Sequence, residues 1–379
     1  MTGKYIKIDT SEEKRIKEHL EARNDFEALR MKRYLSMPDL SRTEGSPLFE
    51  MVKKVLAIKS LENFDVIEIP EIVPASICFD LFGFKPDHPS RSKSDTYYAD
   101  EKNILRTHDT VMWYYYLNHP EIKEKIARKE NLGVVCYGKV YRKDEIDRRH
   151  MNVFHQFGGL LLVPDEKETI TLDNLKKVLS EVIITIFGEN IKYRFNQDTF
   201  PYTDPSIEAE IELNGQWVEI LGSGMPKKDV LKNFGLEGYN GWAFGFGLER
   251  LSTISMELPD IRLFWSEDPR VKKQLVLGNK YIEVSKYPKA ERDISFVVDK
   301  SFVPNDYFDL IREIGKDLVE EVSLSDKYEN EEKFGKDKIS FTYHIVYRSP
   351  EKTLTSEEID QIQSKLYSET EKIYKATLR

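Results

Sequence analysis

Arg142, Phe154 and Arg250 are the residues whose types and settings best suit chemistry on a phosphate. In VYRKDEIDRRHMNVFHQFGG (140–159) an apolar strand ends on Arg142, a turn crowded with charge follows, and His150, Phe154, His155 and Gln156 open the next strand. A rigid sheet that displays one guanidinium and a facing aromatic ring suits a nucleotide, the Arg pairing with a phosphate and the ring stacking on the base. In GWAFGFGLERLS (241–252) a glycine-alternating strand runs into a helix that should start near Leu248 and carry Arg250 in its first turn. Gly241, Gly245 and Gly247 let a ligand approach the backbone closely, and Arg250 can reach a polyphosphate lying over the sheet. Each segment also has a plainer reading, as a charged hairpin turn and as a core strand lightened for close packing. Neither is a GxGxxG fingerprint, and no Walker A motif occurs in the chain.

The elements that must position these residues belong to a chain of 379 residues, 40% of them hydrophobic, enough for two or three domains. Its 57 basic and 66 acidic residues give a net charge of −9, which argues against a partner held by overall basic charge, such as bulk nucleic acid or an anionic membrane. Cys78 and Cys136 cannot form a disulfide framework and lack metal-ligand spacing. No stretch approaches the roughly 18 apolar residues of a membrane span. The start MTGKYIKIDTSEEKR does not read as a signal or transit peptide. A cytoplasmic location is the expectation.

Residues 1–33 have helical spacing and are expected to form a peripheral helix. SPLFEMVKKVLAIKS (46–60) places Leu48, Val52, Val55 and Leu56 on one helical face, with Ser46-Pro47 as cap and first position. Strand-like runs follow: VIEIPEIVP, GVVCYGKVYR, HQFGGLLLV, AEIELNG with QWVEILGSG, and GWAFGFG, interrupted by a helix at about 172–187. Asn214-Gly215 predicts a type I′ hairpin turn. After a helical connector, PRVKKQLVLGNKY, the order of elements is βαββαβ, the ferredoxin-like arrangement. The expected fold class is α+β, mostly antiparallel in the middle of the chain.

Together the two phosphate-suited segments resemble motifs 2 and 3 of the class II aminoacyl-tRNA synthetases. DHPSRSKSDTYY (87–98), ILRTHDT (104–110), GKVYRKDEIDRRHMNVFHQ (138–156), TFPYTDPSIEAEI (199–211), WVEILGSGM (217–225) and the segment from Gly241 to Trp265 are similar to successive blocks of phenylalanyl-tRNA synthetase. YPKAERDISF, YHIVYRSPEKTLTSEEI and the terminal Leu-Arg resemble that family's ferredoxin-fold anticodon-binding domain. Both parts in one chain match the single-chain, mitochondrial-type organisation. The resemblance implies an N-terminal helical extension (1–37), an antiparallel-sheet catalytic domain (38–270), a connector (271–285) and the anticodon-binding domain (286–379).

It further implies ATP, Mg²⁺ and tRNA, with tRNA(Phe) the expected RNA, and a monomer. Arg142 would bind the α-phosphate and the charge that develops as a carboxylate attacks it, Arg250 the γ-phosphate, and these two are the implied catalytic residues. Phe154 would stack on adenine, with Asp144, His150 and Glu219 lining the nucleotide site. Glu219 and Asp204 match acidic positions of the family and are the candidates for Mg²⁺. His108, Thr110, Gln156, Phe200, Tyr202 and Ala243 would form the amino acid site, the last three arguing for an aromatic side chain. Residues 288–379 carry 15 Lys/Arg against 20 Asp/Glu, a net of −5. Any tRNA contact is therefore assigned to a local face bearing Arg348, Lys352, Lys372, Lys375 and Arg379, with strong salt dependence.

The sequence departs from the family at the amino acid end. The family's His-Thr-Ser run followed by Gln reads His108-Asp109-Thr110 and then Trp113, and its Gln-x-Glu, which receives the substrate ammonium, reads Gln156-Phe157-Gly158. One carboxylate is missing, and a buried cation without its partner costs about 3–5 kcal/mol. Asp109 is the available replacement, but alternation along a strand would turn it to the opposite face. Three readings follow: a phenylalanine–tRNA ligase with a variant ammonium site, a paralogue that adenylates a different (aromatic) acid or acts without charging activity, and a module that binds structured RNA without catalysis.

Overall fold

The computed structural model describes residues 3–145, 147–284, 287–349 and 351–379. They form two compact units whose division is not consecutive in sequence. One comprises Met1–Arg142, Val153–Leu258 and Leu275–Lys280; the other comprises Lys143–Asn152, Pro259–Gln274 and Tyr281–Arg379. The expected boundary at 285/286 lies outside the described residues.

The strands of the first unit are β1 (Tyr5–Lys7), β2 (Asp65–Glu68), β3 (Ile72–Pro74), β4 (Asn103–Leu105), β5 (Leu132–Tyr141), β6 (Val153–Pro164), β7 (Tyr193–Phe200), β8 (Thr203–Leu213), β9 (Gln216–Pro226) and β10 (Tyr239–Gly247). Eight of them make one sheet in the order β1-β2-β5-β6-β10-β9-β8-β7, and β3 pairs with β4 alone. Only β1–β2 and β2–β5 are parallel. The expected hairpin joins β8 to β9, with Leu213 opposite Gln216 and positive φ at Asn214 and Gly215, the geometry a type I′ turn requires.

The N-terminal segment is not the peripheral helix that its spacing predicts. Tyr5–Lys7 becomes an edge strand of the main sheet, and two helices follow, Ser11–Glu21 and Phe26–Ser36. The break between them has a local cause: the Asp25 side chain accepts a hydrogen bond from Ala28 N (3.0 Å) and restarts the helix as its cap. Ser46 caps Pro47–Leu56 as expected, and a helix runs over Leu172–Phe187.

Both faces of the central strands are covered, so β5, β6 and β10 carry nearly continuous apolar runs rather than a clean alternation. One face stacks Tyr137, Phe157, Phe246 and Phe244. The helices Pro47–Leu56, Leu172–Phe187 and Leu248–Met256 pack together against the sheet. The opposite face belongs to a core cluster that contains Phe82, Trp113, Cys136, Leu160 and Ala243, with Tyr202 packed against it.

In the second unit, β11 (Ala290–Asp299), β12 (Val319–Tyr328), β13 (Lys338–Tyr347) and β14 (Thr377–Leu378) form a sheet ordered β12-β13-β11-β14. With the helices Pro304–Gly315 and Ser356–Tyr374 this is the expected βαββαβ module. The connector, expected to be helical, holds one short turn of helix, Pro269–Lys272. The loop between β5 and β6 belongs to this unit: Lys143 pairs with Asp306 (2.9 Å), Arg148 with Glu320, and Asn305 donates to the Lys143 carbonyl (2.9 Å).

Candidate active site

The pleat fixes the floor of the site. Cys136, Gly158, Gly245 and Gly222 are mutual register partners across β5, β6, β10 and β9, so their Cα–Cβ directions share one face. The next row on that face reads Val134, Leu160, Ala243 and Gly224. Three consecutive strands thus present glycine, and other side chains lie directly on their backbone. The Phe200 ring covers Gly222, where an added Cβ would sit 2.7 Å from ring atom Cζ. The Asp109 carboxylate covers Gly158, where an added Cβ would sit 2.8 Å from Cγ and nearer still to Oδ2; at Gly245 it would lie 3.6 Å from Oδ1. No side chain larger than hydrogen fits at 158 while Asp109 holds this place.

Asp109 therefore faces Gly158, contrary to the alternation argument. His108 is extended (φ −158°, ψ 160°), but Asp109 opens a turn of 3₁₀ helix, Asp109–Val111, which ends the strand period one residue early. Gln156 Oε1 anchors that turn by accepting from Asp109 N (3.0 Å). Asp109 is 5% exposed, and its Oδ2 has no hydrogen-bond partner among the described residues. Burial pushes its acid up to about 7, partly offset by Arg106 and Arg142.

His108 shows the same unmet demand. Its Nε2 lies 3.1 Å from the Cys78 carbonyl, which can only accept, so Nε2 carries the proton and the buried Nδ1 is left as an acceptor without a partner. Burial and the charge of Arg142 hold this imidazole near 4, so it is neutral at physiological pH. Thr110 hydrogen-bonds Tyr202, whose ring stacks on Phe200 (6.1 Å, 18°) and meets Phe82 edge-on (5.7 Å). Trp113, which stands where the resemblance leads one to expect an amide, is 1% exposed and sits edge-on against Phe82 (5.4 Å) and Tyr202 (6.3 Å). His108, Thr110, Gln156, Phe200, Tyr202 and Ala243 thus fall on or around one glycine floor. Tyr202 lies in the turn after β7.

The residues suited to phosphate stand at the ends of the central strands of the same sheet. Arg142 follows β5, donates from Nε to the Thr107 carbonyl (3.0 Å) and holds its guanidinium 5.2 Å from the Phe154 ring centre. Arg250, in the first turn of Leu248–Met256, lies 3.5 Å from Glu219, the two side chains 48% and 50% exposed. Beneath them is a pair that sequence reading missed. His155 Nε2 accepts from Leu40 N (2.9 Å), so Nδ1 carries the proton and donates to Glu249 (2.6 Å), which also accepts from His155 N. Both side chains are buried, and they pin the residue before Arg250 to the strand that carries Phe154.

Glu219 is opposite Glu210, whereas Asp204 follows Thr203, the partner of Pro226. Asp204 and Glu210 are six residues apart on β8, about 20 Å at ~3.3 Å per residue, so Asp204 and Glu219 cannot share an ion. No group of three or more His, Cys, Asp or Glu side chains among the described residues is placed to hold a metal. Glu208 was also missed: burial, then Glu219, Asp198 and Glu210, push its carboxyl up. Asp144 and His150 fall in the second unit, and His150 Nδ1 lies 2.8 Å from Asp147. Of the expected tRNA face, Arg348 pairs with Glu320 (2.6 Å), Lys352 with Glu358 and Lys372 with Glu369 (3.2 Å). Arg379 donates to Ser340 Oγ (2.8 Å), and Lys375 is exposed. No helix among the described residues is long and apolar enough to cross a membrane.

Comparison with known proteins agrees with this geometry. The profile "tRNA synthetases class II core domain (F)" matches residues 34–275, and "Ferredoxin-fold anticodon binding domain" matches 285–379. A chloroplastic/mitochondrial phenylalanine–tRNA ligase of Arabidopsis thaliana is 36% identical over 342 residues, covering 87% of this chain and 72% of the relative. The mitochondrial enzyme of Mus musculus is 35% identical over 332 residues (78% and 71%), and that of Saccharomyces cerevisiae 31% over 384 (79% and 80%). These relatives are organellar by name, which overturns the cytoplasmic expectation. The chain belongs to the phenylalanine–tRNA ligases of the class II synthetases, in their single-chain organisation.

Proposed function

We propose that this chain activates phenylalanine with ATP and transfers it to tRNA(Phe) through an aminoacyl-adenylate. The observation that carries the reading is the placement of Arg142 and Phe154 at one edge of a glycine floor whose other side is walled by Phe200 and Tyr202. That arrangement suits an adenine and phosphate at the edge and an aromatic amino acid over the floor. The amino acid carboxylate would attack the α-phosphorus in line and release pyrophosphate. Little proton transfer is needed, so positioning and positive charge supply most of the acceleration.

The bond from Arg142 Nε to the Thr107 carbonyl helps fix Arg142 for this role, with its guanidinium carbon 5.2 Å from the Phe154 ring centre. Arg250 would take the terminal phosphate, exchanging its solvent-exposed contact with Glu219 for a phosphate oxygen. Mg²⁺ is ordinarily held by one or two carboxylates together with substrate phosphates. Glu219 suits that use; Asp204 is too far away. The metal would neutralise phosphate charge. The ferredoxin-fold unit would bind the tRNA, and the local ion pairs of Arg348, Lys352 and Lys372 would have to open for their charges to reach phosphate. Charging of a tRNA(Phe) transcript with labelled phenylalanine tests the proposal: time-dependent, ATP-dependent acylation is expected, and none with intact ATP binding would defeat it.

A further inference from the structure

We infer that Asp109, reaching across Gly158 and Gly245, is the carboxylate that receives the substrate's ammonium group, and so sets this site's selectivity for an amine-bearing aromatic substrate. The inference deepens the proposed function and rests on that reading for the identity of the substrate. Its own footing is local. A carboxylate 5% exposed, with one oxygen lacking any partner among the described residues, is costly to keep unless something fills the vacancy in the working state. The adjacent side chains of half-buried His108 and buried Asp109 each hold a buried acceptor atom without a donor among the described residues. The missing partner must therefore donate hydrogen bonds, and a cation would also neutralise Asp109. The charges of Arg106 and Arg142 act on Asp109, while Arg106 donates to the Lys139 (2.7 Å) and Ile69 (3.3 Å) carbonyls and Arg142 Nε to that of Thr107.

The walls say what carries that cation. Tyr202, which feels the Asp109 charge, meets Phe82 and Trp113 edge-on, and Phe200 covers the next glycine of the row. An ammonium attached a short distance from an aromatic ring is the ligand that satisfies both. The glycines are part of the device: Asp109 and any side chain at 158 exclude each other, so a carboxylate can be presented from position 109 or from position 158 but not from both. Asp109 is thus a relocated anchor rather than a bystander to a lost one.

Binding of phenylalanine and of 3-phenylpropanoate, which keeps the ring and carboxylate but lacks the amine, tests this by calorimetry on the full-length protein. Wild type should prefer phenylalanine by at least about 100-fold, in line with ~3 kcal/mol for a buried charge pair. Asp109→Asn should erase most of that preference while affinity for a non-hydrolysable ATP analogue stays within about twofold. Gly158→Glu alone should lose phenylalanine binding, and Asp109→Ser with Gly158→Glu should restore the preference, an outcome a purely structural Asp109 would not give. The phenylalanine preference should also grow as pH rises through about 7, since protonated Asp109 cannot pair with a cation; Arg106, Arg142, His108, Tyr202 and Cys136 are the other ionisable groups around it. Equal affinity for the two ligands in wild type, or an unchanged ratio in a folded Asp109→Asn protein, would overturn the inference. Retained discrimination without tRNA charging would instead defeat the proposed function and leave the inference standing.

Discussion

The two ends of the site solve opposite problems. At the phosphate edge Arg250 and Glu219 are about half exposed and Arg142 is only half-buried, so these charges are solvated before the ligand arrives. Over the glycine floor Asp109 is 5% exposed, Trp113 1%, and polar atoms wait without partners. A solvated charge loses little when its partner leaves, whereas a buried one loses the whole of its compensation. Rigidity is distributed the same way: the exposed edge owes its shape to a buried pair beneath it, His155 and Glu249.

That contrast can be broken from below. His155→Ala takes the imidazole donor from buried Glu249, leaving it the backbone N–H of residue 155, strips Leu40 N of its acceptor, and should cost about 3–5 kcal/mol of unfolding free energy. Chemical denaturation measures it, and a loss below 1 kcal/mol would mean that the phosphate edge is not held by this pair. A smaller effect belongs to the floor. Asp109 is held near 7 in the folded protein against 3.8 for an unperturbed carboxyl. Its folded pKa is raised, so the stability it contributes is present below about pH 4 and is lost as pH rises through about 7. Thermal unfolding between those limits should fall more steeply in wild type than in Asp109→Asn, by on the order of 2–4 kcal/mol across the window. Phenylalanine should narrow the difference; parallel curves would contradict the account. The smallest effect is expected at the exposed edge: Arg250→Ala should raise KM for ATP by about tenfold, the cost of one charge-assisted contact, and leave phenylalanine binding unchanged.

How much of this is legible in the sequence differs between the same two ends. The phosphate residues declare themselves, because an Arg closing a strand and an Arg opening a helix after glycines have local signatures, and the ferredoxin-like unit follows from the order of its elements. The floor does not. The glycine row is a product of register: Gly158, Gly222 and Gly245 are far apart in the chain and meet only when β6, β10 and β9 align. Alternation misplaces Asp109 because a single 3₁₀ turn, anchored by Gln156 from another strand, resets the period at 109. The N-terminal segment has a helical pattern, yet Tyr5–Lys7 pairs in parallel with β2, a tertiary preference that local propensity does not contain. Asp204 and Glu219, the two candidates for Mg²⁺, lie on paired strands but six positions apart along them, a separation that register sets and local sequence does not show.

The most direct test of the central claim, that this site adenylates an amine-bearing aromatic acid, is ATP–pyrophosphate exchange with phenylalanine and 3-phenylpropanoate side by side. Rapid exchange that depends on phenylalanine is expected, with only background exchange with 3-phenylpropanoate. Silence with phenylalanine, or comparable exchange with the acid that lacks an amine, would contradict it.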